Sequence, residues 1–319
     1  MAALAMTAST LARVDTRAPL IECVPNVSEG RDQRVIQQLA EAVRHAGAEL
    51  IDVHSDVDHH RSVFTILGAP EVVEGSVLAL ARLAVRRIDL TKHRGAHPRV
   101  GAIDVIPFVP LGHTRLEECV DLARRFGELI AKLYDLPVYL YGAAAIRPDR
   151  KRLADVRRGQ YEGLKLELGT NPDRDPDFGP ARLHPRGGAV AVGARKPLIA
   201  FNVNLATDDV EVARRISGVI RESSGGLPAV QAMGLLLENP GERPSAQVSL
   251  NLVDWEQTGI AKVVNEIRRL AREAGTDVDH CELIGLAPTA ALLEVAADTL
   301  GLRDFTPDQA LELRLARDR

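Results

Sequence analysis

The order of apolar runs most tightly limits what this 319-residue chain can fold into, because one succession of strand, helix, strand, strand, helix and strand occurs twice. The first copy has an apolar run at 20–25, a helical period over 33–46 opened by Asp32 as N-cap, and runs at 49–54 and 61–67. It continues with a helix over 70–88, with Val73, Val77, Leu80, Ala84 and Ile88 on one face, and a buried-strand run at 100–109. The second copy places strands at 198–205, 229–236, 246–252 and 278–286 and helices at 208–221 and 258–274. The starts also correspond, since VPNV (24–27) and FNVN (201–204) both bring Asn to the end of the first strand. Two split β-α-β units predict an α+β protein made of duplicated ferredoxin-like (β-α-β-β-α-β) halves. A helix over 115–134 and a strand over 137–141 extend the first copy, and a helix over 289–299 follows the second. Residues 146–188 scatter Pro148, Pro172, Pro176, Pro180 and Pro185 among charges and glycines, which reads as a long irregular connection where domains meet. The expected division is a disordered tail at 1–18, subdomains at 19–178 and 179–302, and a charged tail at 303–319.

Charge and composition remove several classes of function. Lys plus Arg is 40 against 44 for Asp plus Glu, a net charge of −4, and aromatic residues are 3%. Such a surface has no broad attraction for nucleic acid or an anionic membrane, and too few rings to stack bases. No apolar run approaches the roughly 18 residues of a membrane span. Cys23, Cys119 and Cys281 are odd in number, far apart and in no CxxC spacing, which favours a reducing, cytoplasmic setting. Residues 1–17 lack the basic start of a secretory signal.

Histidine carries the strongest chemical signal. Of nine, His54, His59, His60, His93 and His97 fall in or beside two short loops of the first half. Loops on a rigid scaffold are where general acids and bases concentrate, and imidazole titrates near neutrality. A zinc site is the competing reading, because His93 and His97 are four residues apart and His59 and His60 adjoin Asp56 and Asp58. Gly95 and Pro98 interrupt any helix through that pair, so no metal is expected. Two Gly-rich stretches, Gly187-Gly188 with Gly193 and Gly225-Gly226, match neither the dinucleotide nor the P-loop pattern. Such glycines serve as turns or let backbone approach a flat ligand. Arg182, Arg186 and Arg195 surround the first stretch, with forks suited to a carboxylate.

Several longer motifs point further. IECVPNVSEG (21–30), HRGAHPRVGAID (93–104) and VYLYG (138–142) resemble the formiminotransferase family. DFGP (177–180), GARK (193–196), AFNVNL (200–205), VQA (230–232) and NLVD (251–254) continue the resemblance, which covers about residues 19–300. The resemblance implies transfer of a formimino group from N-formimino-L-glutamate to tetrahydrofolate, giving 5-formimidoyltetrahydrofolate and L-glutamate in histidine degradation. It implies two ferredoxin-like halves with folate between them, a homodimer, tetrahydrofolate as co-substrate and no metal. In mammals the domain is fused to a cyclodeaminase, so a stand-alone form is expected here, with a separate cyclodeaminase completing the pathway.

The family's catalytic histidine lies in its His-Pro-Arg motif and maps onto His97. Its folate-contacting segments map onto Gly179, Pro180, Ala181, Arg182, Leu183, His184, Pro185, Arg186, Gly187 and Gly188, and onto Gly225, Gly226 and Leu227. These are the glycine- and arginine-bearing loops noted above. A departure falls at His54, where the animal enzymes carry an acidic residue; if that acid orients the base, Asp56 or Asp58 must do so here. Arg61 and Arg99 are candidates for the carboxylates of the glutamate substrate, and Asn26, Ser28 and Asp104 for polar contacts, while all five also suit turns and caps. Two alternatives stay open: an ATP-dependent closure of 5-formyltetrahydrofolate by a cycloligase-type activity on the same fold, and folate binding without turnover.

Overall fold

The computed structural model describes residues 18–57, 59–95, 98–237, 244–310 and 313–314. The expected tail at 1–18 lies, except for Ala18, outside the described residues, as do Asp58, Ala96, His97 and part of 303–319. The chain divides into two compact units between Arg195 and Lys196.

The first unit contains β1 (Leu20–Cys23), β2 (Asn26–Val27), α1 (Gln33–His45), β3 (Glu49–Asp56), β4 (Arg61–Gly68), α2 (Pro70–Arg87), β5 (Ile103–Leu111), α3 (Leu116–Tyr134) and β6 (Val138–Gly142). Short α4 (Leu153–Val156), α5 (Gln160–Glu167) and β7 (Val190–Ala194) complete it. Local chemistry sets several of these bounds. The Asp32 carboxylate accepts the Arg34 and Val35 amides and opens α1, while Pro70 starts α2 where its missing N–H costs nothing. The predicted face of α2 is the buried one: Val73, Val77, Leu80 and Ala84 are fully enclosed.

β1 and β2 act as one strand broken at Val24-Pro25, and it runs antiparallel between β4 and β5. β3 lies outside β4, and the parallel strands β7 and β6 extend the sheet beyond β5. Helices α1, α2 and α3 cover one face, where Phe108 and Phe126 meet edge to face at 5.4 Å. Such a pair adds about 0.5–1.5 kcal/mol to the area buried.

The connection read as irregular at 146–188 is partly regular. α4 and α5 fold onto the opposite face of the sheet, where Val156 and Leu164 pack with Val105, Tyr139, Tyr141 and Ala191. β7 was not expected from the sequence, and its position explains why. AVAVGA (189–194) is buried throughout between β5 and β6, so it shows none of the in-out alternation that marks a half-buried strand. Because β7 belongs to the first sheet, the unit extends to Arg195, beyond the expected boundary at 178/179. The strand expected from 100 begins at Ile103, because the Val100 amide turns to the Asp104 carboxylate at 2.7 Å.

The second unit contains β8 (Ile199–Leu205), α6 (Val210–Ile220), β9 (Val230–Leu237), β10 (Ser245–Leu252), α7 (Ile260–Glu273), β11 (Val278–Ile284) and α8 (Thr289–Leu300). Its strand order is β11-β8-β10-β9, so the first strand again lies between the third and fourth. The duplicated ferredoxin-like halves of the α+β reading are therefore present, the first enlarged by α3 to β7. Among the described residues no helix is long and apolar enough to cross a membrane.

Candidate active site

The hairpin between β3 and β4 and the loop between α2 and β5 bring together most of the clustered histidines. At the hairpin, His60 adopts a left-handed φ of 51°, a conformation that non-glycine residues take at a cost. Its Nδ1 accepts the Gly30 amide at 3.1 Å, with the Glu29 carboxylate 3.5 Å away. The buried His93 ring lies 4.4 Å from the His60 ring, centroid to centroid. Arg99 Nε–H donates to His93 Nδ1 at 3.0 Å, so His93 carries its proton on Nε2 and donates it to the His60 carbonyl at 2.8 Å. Gly95 fits against the hairpin only because it has no Cβ, which would lie under 3.0 Å from His59 and His60.

Arg99 is itself buried and fully engaged. Its fork meets Glu162 in bidentate fashion, NH2 to Oε1 at 2.7 Å and NH1 to Oε2 at 2.9 Å. The Tyr161 amide donates to the Arg99 carbonyl at 2.8 Å. The expectation that Arg99 binds a substrate carboxylate therefore meets a guanidinium already occupied by a carboxylate of this chain.

Arg61, His59, His60, His93, Arg99, Ser28 and Asp104 line one narrow depression. Asp104 Oδ1 accepts the Val100 amide and Oδ2 pairs with Arg157, while Ser28 Oγ donates to the Gly101 carbonyl at 2.7 Å, so both serve the loop backbone. Burial and the neighbouring Arg157 bring the Arg61 pKa down to about 10, against the opposing pull of Asp104 and Asp56. Asp56 receives the His59 amide at 2.7 Å and holds its Nδ1 at 2.9 Å. His54 is exposed on the edge strand β3, opposite Val63, and Asn26 donates to the Val24 carbonyl at 3.0 Å across the break between β1 and β2. Among the described residues no group of three or more His, Cys, Asp or Glu is placed to hold a metal ion. The competing zinc reading depends on His97, which lies outside them.

The Gly- and Arg-bearing segment meets this loop directly. The Leu90 amide donates to the Arg186 carbonyl at 2.9 Å and the Ala102 amide to the Gly187 carbonyl at 2.8 Å. Gly179 takes φ +85° against the Leu136 carbonyl, where a side chain would collide. Pro180, Ala181, Arg182, Pro185 and Arg186 are accessible to solvent, Leu183 packs on the α4–α5 side, and Arg182 pairs with Asp135. His184 Nδ1 accepts the Gly187 amide at 2.8 Å and the Arg186 amide at 3.3 Å, closing a tight turn before buried Gly188. In the second unit, Gly225 at φ +85° ends a one-turn helix, Gly226 approaches the α6 backbone, and the Leu227 amide donates to the Ile220 carbonyl at 2.9 Å. Glu162 and Arg157 had no signal in the sequence: neither lies in a motif, and their partners are 63 and 53 residues away.

Residues 20–195 match the N-terminal subdomain of the formiminotransferase domain, and residues 200–303 match the formiminotransferase domain that follows it. The chain belongs to the formiminotransferase family. Glutamate formimidoyltransferase of Streptococcus pyogenes is 43% identical over 90% of this chain and 95% of its own. The Thermoplasma acidophilum protein of that name is 39% identical over 93% and 98%. The rat formimidoyltransferase-cyclodeaminase is 44% identical over 87% of this chain, which spans 52% of that relative.

In this formiminotransferase the two adjacent imidazoles act as neutral acceptors, which fixes a pH response. Burial, above all, holds both pKa values below the usual 6.5; the charges facing them are Glu29 and Arg31 for His60, and His60, Arg99 and Glu29 for His93. The unfolded chain then takes up these protons first. The stability they contribute is complete above about pH 6.5 and is lost as pH falls through the lowered folded values. Melting temperature is expected to fall between pH 7 and 5, with a shallower slope in His93→Gln. Equal slopes in the two proteins would contradict this reading.

Proposed function

We propose that this chain transfers the formimino group of N-formimino-L-glutamate to tetrahydrofolate, releasing L-glutamate, without ATP or a metal. The observation that carries this is the match across both subdomains, with stand-alone relatives named glutamate formimidoyltransferase at 43% and 39% identity over nearly their whole length. These relatives give no support to the ATP-dependent ring closure. The proposal includes, on the family resemblance, a cytoplasmic homodimer.

The chemistry requires few parts. Tetrahydrofolate N5 attacks the amidine carbon and gives a tetrahedral intermediate, from which glutamate leaves as an amine. His97 takes the proton released by the attacking nitrogen and returns it to the departing one. On the family resemblance, folate contacts are assigned to Gly179 to Gly188 in the first unit and to Gly225 to Leu227 in the second; the exposed Arg182 and Arg186 of the first segment suit an anionic ligand. Support for this site comes from the backbone hydrogen bonds that join 186–187 to Leu90 and Ala102, on either side of the His97 segment. Mass analysis of a reaction containing only the two substrates tests the function. Formimidoyltetrahydrofolate and an equal amount of glutamate are expected; product formed only from 5-formyltetrahydrofolate with ATP would overturn it.

A further inference from the structure

His93 and Arg99 lie on either side of His97 in the sequence, and the side chains of both are engaged. His93 donates to the His60 carbonyl at 2.8 Å and lies against the His60 ring. The start of α5 grips residue 99 from three consecutive positions. Gln160 Oε1 lies 3.4 Å from the Arg99 fork, the Tyr161 amide donates to the Arg99 carbonyl, and the Glu162 carboxylate takes the fork in bidentate fashion. The 3.0 Å bond from Arg99 Nε to His93 Nδ1 joins these two residues, which precede and follow His97 in the sequence.

We infer that Glu162, acting through Arg99, is a positioning residue that fixes Arg99 and His93, the residues flanking His97 in the sequence, and that Arg99 serves this bracing rather than a substrate carboxylate. The inference rests on the proposed role of His97. Arg99 has a side chain 7% exposed, with Glu162 as its bidentate carboxylate partner, whereas Glu162 is 60% exposed. Removing Glu162 therefore opens no cavity in the core but strips a buried guanidinium of its carboxylate. The fork then has to seek water, and the bond that ties it to His93 loosens with it. A general acid-base displaced by about 1 Å loses on the order of 100-fold in rate, while substrate affinity set elsewhere does not change.

The test compares the full-length wild type with Glu162→Ala, Glu162→Gln and Arg99→Lys. Glu162→Ala is expected to lower kcat about 10- to 100-fold at unchanged KM for both substrates, with Tm lowered by about a few degrees because the Arg99 fork loses its carboxylate. Glu162→Gln, which keeps one acceptor oxygen, recovers part of the loss. Arg99→Lys, which cannot serve Glu162 and His93 together, resembles Glu162→Ala. Amide hydrogen exchange at His93, Val100 and Tyr161 is expected to quicken about tenfold in Glu162→Ala, with or without substrates. Unchanged exchange, or a kcat within twofold of wild type, overturns the inference. A raised KM for formiminoglutamate in Arg99→Lys, with kcat retained, would instead make Arg99 the ligand of the substrate carboxylate. If the wild type transfers nothing while exchange still quickens, the assigned reaction fails and the brace stands.

Discussion

Replacing His97 by alanine is expected to lower kcat by about 100- to 10,000-fold, the usual span for losing a general acid-base. Folate affinity, measured by fluorescence titration, should stay within a few-fold of wild type, because the residues assigned to folate lie at 179–188 and 225–227. The size of the effect follows from the leaving group. Glutamate departs as an amine, which leaves slowly unless a proton reaches its nitrogen as the C–N bond breaks. The outcome also separates a transferase from a protein that only binds folate, in which neither form would give product. A variant that keeps wild-type turnover would remove His97 from the mechanism and move attention to His59 and His60, which line the depression with Arg61 and His93.

Gly101→Ala is expected to cause a large loss of stability in the first unit. A Cβ at position 101 would lie far inside 3.0 Å of the Ala189 backbone, at the crossing of the β5 approach with the chain entering β7. Both atoms in conflict belong to main chains held by hydrogen bonds, since the Ala189 amide donates to the Val100 carbonyl at 2.9 Å. No side chain can rotate away. The cost should reach about 3 kcal/mol or more, at the upper end for overpacking. At about 2–4 °C per kcal/mol for a unit of this size, Tm should fall by roughly 6–12 °C. Gly75→Ala, on the exposed side of α2 with open space at its Cβ, should instead gain about 0.5–1 kcal/mol. A Gly101→Ala melt equal to wild type would show that the two segments do not cross as described.

The particular residues show what sequence can and cannot convey. The buried face of α2 was legible because helical spacing is written every third or fourth residue, and Val73, Val77, Leu80 and Ala84 obey it. The repeated strand order followed from the same periodicities applied twice. β7 was hidden because burial on both faces erases alternation, and its small residues read as a Gly-rich stretch instead. For the site, the clustering of His59, His60 and His93 pointed to two loops that do meet, and Gly187-Gly188 to a segment that does reach them. Arg99 shows the limit. An arginine in a motif next to a histidine suggests a ligand for substrate, and only the position of Glu162, 63 residues on, shows the fork to be in use already. Long-range partners of this kind leave no periodic trace in one sequence.

The central claim is tested most directly by mixing the purified protein with tetrahydrofolate and N-formimino-L-glutamate, without ATP, then acidifying and reading absorbance. Acid converts 5-formimidoyltetrahydrofolate to the coloured methenyl form, so a signal that grows with enzyme and time and requires both substrates is the predicted result. No signal from this pair, with signal from 5-formyltetrahydrofolate and ATP, would contradict it.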